Sequence, residues 1–149
     1  MSRNTWTIKT TPDRVWAVLA DGWLYPLWVV GATRMREVED DWPSVGSRIH
    51  HSVGVWPIVL NDDTEVLECE PQKRLKLRAR GWPPGEADVE LRLTAVPEGT
   101  EVEMLEDVTA GPARFVPKPV RAPLITWRNT ESLRRLAFLA ERRAARQER

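Results

Sequence analysis

Two stretches gather the side chains able to do acid–base chemistry. Along Arg48 to Val55, Ile49, His51, Val53 and Val55 share one parity and Arg48, His50 and Ser52 the other, so a strand here turns His51 inward. A neutral imidazole in that position accepts or donates a proton near physiological pH, which makes His51 the better acid–base candidate of the two histidines. The same rule places Glu106 with Val102, Met104 and Val108, a carboxylate on an otherwise apolar face. Burial there is costly unless the charge is paired or hydrogen-bonded. Arg128, between Trp127 and Asn129, is a partner for it across the interior. In a functional arrangement Arg128 or Asn129 binds a carbonyl or carboxylate of a ligand and Glu106 sets its orientation. The plainer alternatives are a core or rim histidine held by a hydrogen bond and a purely structural ion pair.

Aromatic usage is lopsided, with eight Trp against two Phe and one Tyr. Trp23, Tyr25, Trp28, Trp56 and Trp82 all fall near expected loop ends, Trp82 within Gly81-Trp82-Pro83-Pro84-Gly85. Rings at such places surround a pocket mouth in one reading and fill a large core in the other. Met35, Leu91 and Met104 on strand runs, with Trp127 and Arg128 on the terminal helix, complete the candidate ligand contacts. His50 and His51 are adjacent and project to opposite faces, and Cys69 is the one cysteine, so neither a metal nor a disulfide is expected. No glycine-rich phosphate loop or GxSxG elbow occurs, and no cofactor is implied.

The elements that must position these residues fit one domain over residues 1–149. A chain of this size buries roughly 70% of the surface its unfolded form exposes. Lys plus Arg number 22 and Asp plus Glu 22, so no overall field draws the protein toward nucleic acid or anionic lipid. Met1 to Thr10 lacks an apolar signal core and no long apolar run follows, which points to the cytoplasm and away from stable membrane insertion.

Thr5 to Thr10 reads as an opening strand. Thr11, Pro12 and Asp13 then start a helix whose dry face is Val15, Trp16, Val18 and Leu19, and Asp21 to Trp28 forms a second, shorter one. Extended runs follow at Gly31 to Glu39, Gly46 to Val55, Ile58 to Leu60 and, after a polar bend at Asn61 to Asp63, Thr64 to Glu70. Lys73 to Arg80 alternates, as do Glu86 to Ala95 and Thr100 to Val108, the second with Ala87, Val89, Leu91, Leu93 and Ala95 on the dry side. Thr109 to Pro119 is an irregular connection. A helix then runs from Pro119–Pro123 to about Ala145, roughly 35 Å, with Leu124, Ile125, Trp127, Leu133, Leu136, Ala137, Leu139 and Ala140 as its dry stripe. A bent sheet cannot be filled by one helix, and the space left over is where a ligand would sit.

This order of elements resembles the SRPBCC or START-like superfamily with its helix-grip fold, and within it the polyketide cyclase/dehydrase and lipid-transport group. The stretches that carry the resemblance are Thr11 to Leu19, Val45-Gly46-Ser47-Arg48, Glu68 to Leu75, Gly99-Thr100-Glu101-Val102 and Asn129 to Glu141. The resemblance implies an α+β fold: a curved antiparallel sheet of about six or seven strands around a long C-terminal helix, with two short helices after strand one. These motifs are structural, and similar proteins include carriers, aromatase or cyclase enzymes and hormone receptors. The leading expectation is therefore binding of a small hydrophobic molecule, lipid- or polyketide-like, between sheet and helix. A cofactor-independent cyclase or dehydratase using His51 and Glu106 as general base and acid is the rival. A regulatory protein-interaction domain is the third reading, and the assembly is a monomer or a homodimer.

Overall fold

The computed structural model describes residues 2–30, 32–55, 58–81, 85–110, 115 and 117–147. Among these residues the chain forms seven strands and three α-helices. They are β1 (Ser2–Ile8), α1 (Pro12–Leu19), α2 (Tyr25–Trp28), β2 (Ala32–Val38), β3 (Arg48–Val55), β4 (Ile58–Glu70), β5 (Arg74–Gly81), β6 (Gly85–Val96), β7 (Gly99–Ala110) and α3 (Lys118–Gln147). A single 3-10 turn, Gly22–Leu24, joins α1 to α2. The strands form an open antiparallel sheet in the order β1-β7-β6-β5-β4-β3-β2. Register shifts in β2, β4 and β6 bend and twist it locally. This is the α+β helix-grip arrangement.

Alternation fixes the dry face. Leu75 and Leu77 on β5 lie opposite Leu91 and Val89 on β6, and Leu91 and Leu93 lie opposite Met104 and Val102 on β7. The intervening residues carry charges that pair across the strands: Arg78 with Asp88, and Arg74 with Glu90 and Glu68. Against this face α3 presents a stripe of Asn129, Ser132, Leu133, Leu136, Ala137, Ala140 and Ala144. It packs along β1 and beside α1 and α2. Asn4 Nδ2 donates to Thr130 Oγ1 at 3.3 Å, and the Val30 N–H donates to Ser132 Oγ at 3.2 Å, tying α3 to β1 and to the segment after α2.

Several expectations need correction. β1 begins at Ser2, because β7 offers a partner for every residue from Ser2 opposite Glu106 to Ile8 opposite Thr100. Asn61 to Asp63 makes no bend, and β4 is one strand of 13 residues. The Asp63 carboxylate that suggested a turn is matched on the sheet surface by Arg80 at 2.7 Å and Arg48 at 3.5 Å. Ala95, the last dry position before the β6–β7 turn, is exposed. β7 extends to Ala110, and α3 runs 30 residues from Lys118, about 45 Å.

Leu124 and Trp127 do not belong to the dry stripe of α3. Trp127 is 65% exposed because it precedes buried Asn129 by two residues, about 200° around the helix.

Candidate functional site

The inner faces of β3 and β4 and the short helix α2 bring three polar side chains together under apolar cover. Parity turns His51 inward on β3, where it is 2% exposed. Thr64 lies on the same face of β4, and the cross-strand pairs His51–Asp62 and Ile49–Thr64 place it diagonally from His51. His51 Nε2 and Thr64 Oγ1 are hydrogen-bonded at 2.8 Å. Pro26 in the first turn of α2 starts a helix only four residues long, and both Tyr25 and Trp28 are buried. The Tyr25 hydroxyl meets the same Thr64 Oγ1 at 3.3 Å, its ring lies 5.4 Å from the His51 ring, and Trp28 stacks edge-on to it at 5.5 Å.

Thr64 has one proton for two neighbours, so the chain has two arrangements. Either Tyr25 donates to Thr64 and Thr64 to Nε2, leaving His51 Nδ1–H as a donor, or Nε2–H donates to Thr64, leaving Nδ1 as an acceptor while the Tyr25 hydroxyl donates to Thr64 or accepts from it. Nδ1 is buried and has no hydrogen-bond partner among the described residues. Burial pushes the imidazole below its usual value, and the carboxylates of Asp62 and Asp63 pull it back in part. Burial likewise raises the Tyr25 phenol, which keeps it protonated.

Glu106 occupies the inner face of β7, opposite Val89 of β6, with its side chain 5% exposed. Both of its carboxylate oxygens accept from Arg128 Nη2 on α3. The Arg128 side chain is 38% exposed, so the pair runs from the interior toward water. The charges of Arg128 and Glu106 both act on the Tyr25 phenol, in opposite directions. Asn129, next along α3, is buried with no partner for its Nδ2 among the described residues.

The structure thus brings His51, Glu106, Arg128 and Trp28 into or beside one interior. Leu91 and Met104 are buried in the same hydrophobic core as Trp28, and Met35, opposite His51, packs half-buried against that core. Trp127 and Trp23 stand apart. Trp23 is 58% exposed and lines an open cleft of about 410 Å³ with Ala17, Asp21, Val38, Asp40 and Trp42, a cleft that contains none of the interior polar groups. Trp56 and Trp82 lie outside the described residues. His50 faces the other way, as the parity requires, with Nε2 3.2 Å from Glu39 Oε2.

Thr64 and Asp62 escaped the reading of the sequence. Carrying the alternation of Val66 back through Thr64 and Asp62 would have found both, but the polar run at 61–63 hid it by looking like a turn.

The description "polyketide cyclase / dehydrase and lipid transport" belongs to the family that matches residues 2–141. The chain is a member of that family. No curated protein matches it. A Rhodobacter sphaeroides protein of solved structure is 27% identical, with a TM-score of 0.70 over 92% of this chain and 89% of that one. The di-domain ARO/CYC StfQ from the steffimycin biosynthetic pathway, 12% identical, superposes with a TM-score of 0.74 over 97% of this chain and 51% of its own. Ara h 8.0201, also 12% identical, gives 0.70 over 93% and 95%. At 12% identity the likeness is one of fold. Family and fold together support a ligand-binding fold. Among the described residues no helix is long and apolar enough to cross a membrane.

Proposed function

We propose that the protein binds a small, largely apolar molecule that carries an oxygen function, held between the inner face of the sheet and α3. The reading takes residues 1–149 as one SRPBCC/START-like domain with one interior. One observation carries it: His51 is 2% exposed on the inner face yet keeps a ring nitrogen without a partner among the described residues, beside the Tyr25 and Thr64 hydroxyls. A buried polar atom left unpaired costs about 1–3 kcal/mol, and a ligand oxygen placed there would remove that cost. Leu91, Met104, Met35 and Trp28 supply apolar surface for the rest of the molecule, and Arg128 with Glu106 borders the polar end.

Native mass spectrometry of protein purified from its own host should show a co-purified small molecule. Stripped protein should take up Nile red, and Tyr25→Phe with His51→Leu should weaken oxygenated ligands more than the dye. Absence of any bound mass together with no dye uptake would remove the reading.

A second reading, a cofactor-independent cyclase or dehydratase step, draws on the same histidine. Burial favours the uncharged imidazole, and in the tautomer whose Nε2–H donates to Thr64 the Nδ1 lone pair can take a proton from a substrate carbon or hydroxyl. Glu106, with both oxygens against Arg128, then serves to position the guanidinium beside an enolate oxygen. Turnover of a polyketide-like substrate that survives unchanged in His51→Asn would exclude this step.

A further inference from the structure

Any ligand in this interior meets a fixed set of charges, and their balance constrains its chemistry. Among the described residues, Arg128 and Glu106 are the charges that act on Tyr25, and Asp62, Asp63 and, from the exposed side, Arg36 are the main ones that act on His51. Arg128 is committed to both oxygens of Glu106. Arg36 Nη2 donates to the main-chain carbonyls of Asp62 at 2.9 Å and His51 at 3.4 Å, which fixes its head on the sheet backbone. Asp62 adds a negative charge directly across from His51, with Oδ1 accepting from the Asp63 N–H at 2.8 Å. The remaining polar groups, His51 Nδ1, the Tyr25 and Thr64 hydroxyls and Asn129, are uncharged donors and acceptors.

We propose that Glu106 sets the charge selectivity of this site: by neutralising Arg128 it makes the interior take an uncharged oxygen-bearing hydrophobe, such as an alcohol, phenol or ketone, in preference to the matching carboxylate. The inference rests on the binding reading above. A ligand carboxylate reaching Arg128 would set two carboxylates against one guanidinium, and whichever lost contact would be a buried charge without a partner. One that stayed at the His51 end would face Asp62. A hydroxyl or carbonyl meets neither penalty and pairs with the uncharged groups already present.

Displacement of Nile red by two matched pairs, 1-dodecanol with dodecanoate and 2-naphthol with 2-naphthoate, near neutral pH tests this. The uncharged member should bind at least about tenfold more tightly to the wild type. In Glu106→Gln, with Arg128 released, the carboxylates should gain about tenfold or more and the preference should shrink or reverse. Equal affinities in the wild type, or an unchanged ratio in Glu106→Gln, would overturn the proposal. Arg128→Met, measured alongside it, is the second arm: removing the guanidinium should keep or widen the preference for the uncharged member, and a narrowed preference would count against charge selection. Failure of dye and both pairs alike would instead sink the binding reading itself, which separates the two outcomes.

Discussion

Arg128, on the C-terminal helix, holds both carboxylate oxygens of Glu106, on the inner face of β7, with a single guanidinium nitrogen. The contact ties α3 to the sheet, and its ends are unequal: the Glu106 side chain is 5% exposed and that of Arg128 38%. Removing either end therefore has different consequences. Arg128→Met leaves a carboxylate in an apolar interior, whereas Glu106→Gln leaves a guanidinium that reaches water. The first should cost about 3 kcal/mol and the second about 1 kcal/mol, measured from urea midpoints. Equal losses would mean that the pair is wet at both ends.

The depressed His51 imidazole links stability to pH. Its usual value is 6.5, and in the folded protein burial lowers it, so the unfolded chain takes up the proton more readily than the native one. The stability contributed by unprotonated His51 is complete above that usual value and drains away as pH falls toward the lower native one. His51→Gln removes the titration. Between neutral pH and the native value the wild type should lose up to about 1.4 kcal/mol more per pH unit than the variant. Parallel unfolding curves for the two proteins across that window would refute the burial argument.

Which features were legible in the sequence follows from the range of the interactions behind them. Thr11-Pro12-Asp13 starts α1 and the alternation of Glu86 to Ala95 makes β6, because a few neighbouring residues decide each. Parity alone turns His51 and Glu106 inward, and the need to compensate a buried carboxylate points to Arg128. Thr64 and Asp62 were not legible, since a β4 that continues through 61–63 depends on Arg48 and Arg80 meeting Asp63 from two other strands. The dry stripe of α3 is not legible at its N-terminal end for a related reason. Leu124, Ile125 and Trp127 are apolar on several sides of the helix, so the buried phase is set by Asn129, Ser132 and Leu133 further along.

Thr64 holds two hydroxyl-range contacts at once, to Tyr25 at 3.3 Å and to His51 at 2.8 Å. Thr64→Val keeps the shape and removes the shared oxygen, leaving the Tyr25 hydroxyl and one more imidazole nitrogen buried without this partner. A loss of about 2 kcal/mol in thermal or urea unfolding is expected, against under about 1 kcal/mol for Thr64→Ser, which keeps the oxygen. A valine variant as stable as the serine one would show that the triad is not holding α2 to the sheet.

Two glycines separate a soft collision from a hard one. A Cβ on Gly22 would come within 2.8 Å of Val38 Cγ1 and 2.9 Å of Ile49 Cγ2, side-chain atoms that can shift, so Gly22→Ala should cost about 1–3 kcal/mol and still fold. Gly99, the first residue of β7, has φ of +147°, and a Cβ there would lie 2.2 Å from the Ile8 carbonyl oxygen and 3.0 Å from the Thr10 nitrogen. Those are main-chain atoms at the end of β1, and the Thr10 N–H already donates to the Ile8 carbonyl at 2.9 Å. Relief requires β1 to move off β7, breaking the pairing of Ile8 with Thr100 and with it the edge against which α3 packs. Gly99→Ala should therefore lose more than about 3 kcal/mol and expose the β1 amides to hydrogen exchange ahead of the rest of the sheet. Equal stability of the two alanine variants would show that the main chain at this corner yields as readily as a valine side chain.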